Sequence, residues 1–186
     1  MKIGVIAEET NDVDVLYQLT CKLIDESIFS FKQFVGHGCG KLRRKCSAWA
    51  ANLLKRGCTF LVVIHDLDDY VLQDLHKELS DAIADTPYTA SVVLIPVRAI
   101  EAWLLTDSKA IQEVFSLSKQ PKLPGNPEAV LDPKKELTGI VWNRDKKRYV
   151  NTIHNKKIAQ AMNITKAKRC KSFRPYPAFV SKYLMD

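Results

Sequence analysis

Two aspartates one residue apart, Asp66 and Asp68, lie in the run His65-Asp66-Leu67-Asp68-Asp69, directly after the apolar stretch Phe60-Leu61-Val62-Val63-Ile64. In an extended chain, side chains at i and i+2 point the same way, so the two carboxylates repel unless a cation relieves them. A hard divalent ion is the natural candidate, because Mg²⁺ is held by one or two carboxylates and completes its shell with water and phosphate oxygens. The alternative is that both acids serve only as a loop and a helix cap ahead of the amphipathic segment 71–83. Position favours a site, since ligands of open α/β sheets bind at the carboxyl ends of strands. Glu8 follows the apolar run Lys2–Ala7 and stands at another strand end. Glu101 is set between Ile100 and Ala102-Trp103-Leu104-Leu105, an apolar setting in which a carboxylate needs a partner, either Arg98 or a metal ion.

Phosphate chemistry is suggested from a second direction. The turn Gly36-His37-Gly38-Cys39-Gly40-Lys41-Leu42 approaches a nucleotide P-loop, but its outer glycines are one residue too close and Leu42 stands where Ser or Thr would hold the metal. A P-loop is excluded. The turn can still offer backbone N–H groups to one phosphate beside Lys41, Arg43, Arg44 and Lys45, or it can be a plain turn into a solvated helix. The net charge of +7 is unevenly spread: residues 1–100 carry 11 basic and 13 acidic side chains, and residues 101–186 carry 17 and 8. In the second half Lys134, Lys146, Lys147, Arg148, Lys156, Lys168, Arg169 and Lys171 are interleaved with Trp142, Tyr149, Phe173 and Tyr176. Such a pattern suits a grip on DNA or RNA phosphates while aromatics stack or pack; a solvated face is the alternative.

The elements that position these groups follow from periodicity. Strands are expected at 2–7, 29–35, 60–64 and 91–97. Helices are expected from 13 to about 26 with Asp12 as cap, at 41–55 closed by Gly57, at 71–83, and at 109–115 capped by Asp107-Ser108. The alternation predicts an α/β fold, a mainly parallel four-stranded sheet with helices on both faces and right-handed crossovers. A proline-rich connector at 116–133 leads into a basic helical stretch, so the expected division is a core at 1–115 and an extension at 116–186 packed on it. At 46% hydrophobic and 26% charged the chain is not disordered, and no repeat is visible. The five scattered cysteines lack a C-x-x-C pair and read as reduced thiols rather than zinc ligands. Glu8 and Glu9 arrive too early for a signal peptide and no apolar run approaches a membrane span, so a cytoplasmic protein is expected, with no membrane partner.

Ala7-Glu8 with Asp12, the glycines at 36–40, His65-Asp66-Leu67-Asp68, Pro96-Val97-Arg98 with Ile100-Glu101-Ala102-Trp103-Leu104-Leu105 and Asp107, and Lys171-Ser172-Phe173 together resemble a Toprim-like domain-of-unknown-function family of small bacterial proteins, often encoded beside an ATPase in defence loci. More distantly the chain resembles the Toprim nuclease domain of overcoming-lysogenization-defect nucleases. The resemblance implies a Toprim-like core in which Glu8 is a metal ligand or general acid/base. It makes Asp66, Asp68 and Asp12 ligands of Mg²⁺ or Mn²⁺, and Glu101 a further catalytic acid. Arg98 and Asp107 are implied as structural support. The implied function is a metal-dependent nuclease acting on DNA or RNA with an ATPase partner in antiphage defence, with a homo-oligomer open. Glu9 stands where the family pattern has glycine, which supports the alternative of a degenerate module that binds nucleic acid or the partner without catalysis.

Overall fold

The computed structural model describes residues 1–185; the side chain of Cys39 and residue Asp186 lie outside what is described. Four short apolar runs form the strands β1 (Lys2–Ala7), β2 (Ser30–Val35), β3 (Phe60–Ile64) and β4 (Ala90–Leu94). They make one sheet in the order β2-β1-β3-β4, every pairing parallel, with β1 and β3 in the middle. Sequence predicts this architecture because the central strands are apolar at successive positions, as burial on both faces requires. Along β1, Ile3, Val5 and Ala7 feed one apolar layer while Ile6 feeds the other. Gly4 keeps its face open: a Cβ there would come within 3.1 Å of Leu53.

One face is covered by α2 (Cys39–Lys55) and α3 (Leu72–Ala84), through Leu42, Cys46, Ala50, Leu53, Leu75, Leu79 and Ile83. The other is covered by α1 (Thr10–Cys21), the short α4 (Glu101–Leu104) and α5 (Ser108–Phe115). Helices α6 (Pro133–Asp145), α7 (Asn151–Ala161), α8 (Ile164–Ala167) and α9 (Pro175–Tyr183) join that same layer. Helix α7 packs along α1 and α9 against β4, so the basic segment shares the core on the same face as α1. Cys46, Cys58 and Cys170 are buried free thiols, and Cys21 is partly buried. Among the described residues no helix is long and apolar enough to cross a membrane.

Two local expectations are corrected. Helix α1 begins at Thr10 with Glu9 as its N-cap, and Asp12, three residues on, accepts from the Glu9 N–H at 2.9 Å in the manner of a capping box. Asp12 is thereby turned inward instead of ending the loop. The second concerns Asp66 and Asp68. Beyond β3 the chain stays extended only to Leu67, with the N–H groups of His65 and Leu67 donating to the carbonyls of Leu94 and Pro96. Asp68 then takes a left-handed conformation with φ +46° and is exposed. The two carboxylates therefore do not share one extended face.

Trp103 shows how tightly the two halves interlock. It is fully buried, its indole N–H donates to Ser172 Oγ at 2.8 Å, and its ring meets Phe173 edge-on at 5.2 Å. Trp103→Ala is expected to cost about 3–5 kcal/mol in urea unfolding. Trp142, 52% exposed, should change stability by no more than about 0.5 kcal/mol on the same replacement.

Candidate functional site

Glu8 is fixed from both sides at the end of β1. Its carbonyl accepts from the His37 N–H at 2.8 Å, and Gly36 N–H donates to Ala7 O at 2.9 Å, so the glycine-rich turn serves to clamp this strand end. Gly36 is required there, since a Cβ would lie 2.9 Å from the carbonyl oxygen of Gly38. The Glu8 side chain crosses to the neighbouring strand, where Oε2 accepts from the Asp66 N–H at 3.1 Å and lies 3.7 Å from His65 Nδ1. His65 is buried, with Nδ1 donating to Asp66 O at 2.6 Å.

Asp66 follows Ile64 at strand spacing and so faces the layer of α1, α4 and α6. There it feels the charges of Asp12, Glu101 and Glu8, with Lys134 opposing them. Glu101 is 0% exposed, Asp12 5% and Glu8 8%. Asp66 Oδ1 and Glu101 Oε2 are buried without a hydrogen-bond partner, which a charged oxygen does not tolerate cheaply. Burial, reinforced by these neighbours, holds Asp66 well above the ordinary carboxylate range. Burial also pushes Asp12 up to about 7, against the bond from the Glu9 N–H and with the charges of Glu101, Glu9 and Glu8. Glu8 is raised by burial too, with His65 and the Asp66 N–H pulling the other way.

The second half of the chain answers this charge. Asn155 on α7 donates to Glu101 Oε1 at 2.9 Å, and the Tyr149 hydroxyl, 3.3 Å from the same oxygen, bonds Asn155 Oδ1 at 2.5 Å. Burial and the Glu101 charge keep the Tyr149 phenol protonated. Lys134, in the first turn of α6, is half-buried against the acids: burial would lower its ammonium, but Glu101, Glu9, Asp66 and Asp12 outweigh that and raise it. Lys134 is one of the basic residues of the sequence and Tyr149 one of its aromatics, yet no spacing ties them to Glu101, and Asn155 carries no signal at all.

Of the residues singled out by sequence, Glu8, Asp12, Asp66 and Glu101 are brought together. Asp68 is exposed and contributes through its charge on Glu8. Arg98 does not partner Glu101; at φ +67° it binds Asp69 Oδ1 at 2.9 Å and the Asp68 carbonyl at 3.2 Å, bracing the turn after Asp66. Asp107 caps α5 through the Lys109 and Ala110 N–H groups and also accepts from Asn163 N–H and Lys166 Nζ, which tie α8 to the core. Burial opposes its ionisation, but these donors hold its carboxyl below the ordinary range. Glu9 is exposed, so its side chain does not fill the cluster.

Among the basic residues, Arg43 is engaged by a two-pronged bond to Glu78 at 2.8 and 2.5 Å and by the Tyr70 ring, so it is a structural cation. Lys41 and Arg44 are exposed on α2. Lys146 closes α6 in a left-handed conformation, 5.3 Å over the Trp142 ring. Lys147 and Arg148 are exposed and lead directly into Tyr149, so this basic run adjoins the acids. Lys156 and Lys168 are exposed, Arg169 donates to the carbonyls of Pro124 and Gly125, and Lys171 lines a groove beside β4.

The model of the domain-of-unknown-function family DUF4276 matches residues 17–178. The chain belongs to this family. The DUF4276 match takes in Asp66, Glu101, Lys134, Tyr149 and Asn155, while Glu8 and Asp12 precede it. No curated protein and no solved structure was found to match the chain.

As a metal site, the donors fit in kind: all are hard oxygens, and two are buried without partners. Among the described residues no three acid, histidine or cysteine side chains form a ready ligand set. In kind alone, such oxygens suit an ion that takes most of its shell from water or phosphate. Acids raised in this way carry a stability signature in chelated buffer. A carboxyl raised by folding contributes stability that is complete below its unfolded value and is lost as pH rises through its folded one, here from the ordinary 3.8 to about 7 for Asp12. Asp66→Asn should therefore raise the melting temperature at about pH 8 by several degrees and at about pH 5 by much less. An equal gain at both pH values would show that Asp66 is not raised.

Proposed function

We propose that this chain is a metal-dependent nuclease that cleaves nucleic-acid phosphodiester bonds, the effector of an ATPase-linked antiphage defence system. The observation that carries the reading is the pair of unpartnered, buried oxygens on Asp66 and Glu101, set among further acids and beside Lys134. Structural economy alone does not account for buried acids left short of donors; perturbed acids at the carboxyl ends of parallel strands suit a site for ligand and proton. The resemblance to Toprim nuclease domains supplies the reaction class, and the sheet and the convergence of Glu8 with Asp66 are compatible with it.

Asp66 and Glu8, with Asp12 and Asp68 beside them, would hold Mg²⁺ or Mn²⁺, which when bound stabilises charge on the scissile phosphate and acidifies a water. Glu8, raised by burial and within reach of His65, is suited to hold or pass a proton. Lys134 places a fixed cation where phosphate charge would build. Tyr149 and Asn155 fix the Glu101 carboxylate and leave its second oxygen facing inward. Lys146, Lys147 and Arg148 would track the polyanion at the rim. A module without catalysis is the second reading, favoured by Glu9 in place of glycine; the exposure of Glu9 leaves the enzyme reading ahead.

With Mn²⁺ and single- or double-stranded DNA and RNA oligonucleotides, assayed with and without the ATPase partner, wild type should cleave at least one. Glu8→Gln and Asp66→Asn should each lose about 10²-fold or more, and Lys134→Gln a comparable factor. Cleavage that survives in both acid variants would reject the site. Replacing Lys146, Lys147 and Arg148 together by Ala should flatten the slope of log affinity against log salt by about 2–3 for duplex DNA. An unchanged slope would assign that loop to the solvent.

A further inference from the structure

Packing sorts the four aromatic side chains that are interleaved with the basic residues of the second half. Phe173 and Tyr176 are buried, and Tyr149 is turned inward to Glu101. Trp142 is left outside: at 52% it is the most exposed aromatic ring among the described residues. The other two indoles are packed, Trp103 in the core and Trp49 stacked on Phe34 with 5.4 Å between ring centroids. Helix α6 has its buried face without Trp142, from Pro133, Leu137 and Val141. One exposed apolar side chain needs no explanation by itself, but the place of this one does.

Lys134, Thr138 and Trp142 recur at every fourth residue of α6 and form one stripe, each step turned about 40° further from the core. The stripe starts at Lys134, beside the acids, and Trp142 stands about 12 Å farther along the helix axis. The chain then returns through Lys146, Lys147 and Arg148 to Tyr149 at Glu101. Local charge along this path is positive. Asp145 is the one acid between Glu136 and Asp186, and it stands against Arg144, Lys146, Lys147 and Arg148, all exposed. Its carboxylate is turned to the N–H and hydroxyl of Ser118, while Glu136 projects from the opposite flank of α6.

We propose that Trp142 is a stacking platform for an unpaired nucleobase, so that the polyanion taken by this chain is single-stranded nucleic acid running along α6 to the acids. A base in a duplex has both faces covered, whereas a single strand offers its π-faces to an aromatic ring. The 12 Å between Lys134 and Trp142 correspond to about three to four stacked nucleotides at about 3.4 Å each. Lys146 Nζ lies 5.3 Å from the centroid of the Trp142 ring. Such an exposed contact is worth about two- to fivefold in an equilibrium, and a stacked base about fivefold to a hundredfold. A base therefore displaces Lys146, whose ammonium then meets a phosphate of the same strand. A protein partner with apolar side chains would gain from the ring but not from the four cations around it. The inference rests on the proposed function only for taking the polyanion to be nucleic acid.

The test measures binding in EDTA, where metal-dependent cleavage is absent, by anisotropy of labelled oligonucleotides. The probes are oligo(dT) and oligo(rU) of about twelve nucleotides, a blunt duplex of the same length, and an abasic deoxyribose-phosphate strand. Trp142→Ala should weaken the Kd for both single strands about tenfold and Trp142→Phe by about threefold, with less than about a twofold change for the duplex and the abasic strand. An effect confined to oligo(dT) or to oligo(rU) supports the proposal and assigns the sugar. Indole fluorescence of wild type should be quenched by single strands and not by the duplex, a measurement that stands even if Trp142→Ala fails to fold. Equal weakening on duplex and single strand overturns the proposal, since Trp142 would then only support a phosphate surface. A Kd unchanged within about twofold in Trp142→Ala, as expected of a ring that serves a protein partner, overturns it, and so does a wild type that binds neither single strand. The nuclease reading fails separately, through the Glu8 and Asp66 variants, with binding that depends on Trp142 intact.

Discussion

The removal of several carboxylates from water, made costlier by their closeness to one another, is the constraint around which the molecule is arranged. Glu8, Asp12, Asp66 and Glu101 come from two strand ends and two helices and meet where solvent is largely excluded. A domain that needed only stability would place apolar side chains there, since an unpaired buried charge costs far more than a methyl group contributes. Each neighbouring element lowers that cost. The Asp66 N–H bonds Glu8, the Glu9 N–H bonds Asp12, and Tyr149 and Asn155 crowd one oxygen of Glu101. Lys134 supplies a single positive charge that Glu101, Glu9, Asp66 and Asp12 share.

The extension expected at 116–186 packs on the core and also supplies groups to the acidic cluster. Lys134, Tyr149 and Asn155 lie beyond the proline-rich connector, yet they are the groups that complete the surroundings of Glu101 and Asp66. Asp107 works in the same sense, capping α5 while holding the start of α8. The basic excess of the second half thus has two destinations. Part of it is internal compensation, as at Lys134 and Lys166, and part is an exposed rim, as at Lys147 and Arg148.

Much of the fold was legible in the sequence because it rests on local patterns. Runs such as Phe60–Ile64 report burial on both faces, and leucines at helical spacing report α3, so the parallel four-stranded sheet follows. The acids were legible as residue types at strand ends. Their partners were not. Whether Glu101 meets Arg98 or Asn155 depends on a contact across 54 residues, which no periodicity encodes. The start of α1 was misplaced because Glu9 and Asp12 both suit a helix entry, and only the reciprocal bond shows which is the cap. Asp68 was misdirected for a related reason: the period of two applies only while the chain is extended, and a left-handed residue ends it at once.

The Glu9 position illustrates how such local geometry reaches function. A glycine before this helix would leave the turn open, whereas a glutamate must place its charge somewhere. Because Glu9 is the N-cap, its side chain starts outside the helix and reaches solvent, while its N–H turns Asp12 inward. Its charge is still felt by Lys134, Asp12 and Glu8, at the mouth of the cluster. It therefore adds to the field that attracts a cation without occupying the space a phosphate needs. The same field opposes the approach of phosphate, and Lys134 with the rim at Lys147 and Arg148 is the opposing charge that the fold provides. On the proposed reading, affinity for cation and for polyanion would be set by an acidic cluster and a basic rim, brought within reach of each other by the packing of α7 on α1.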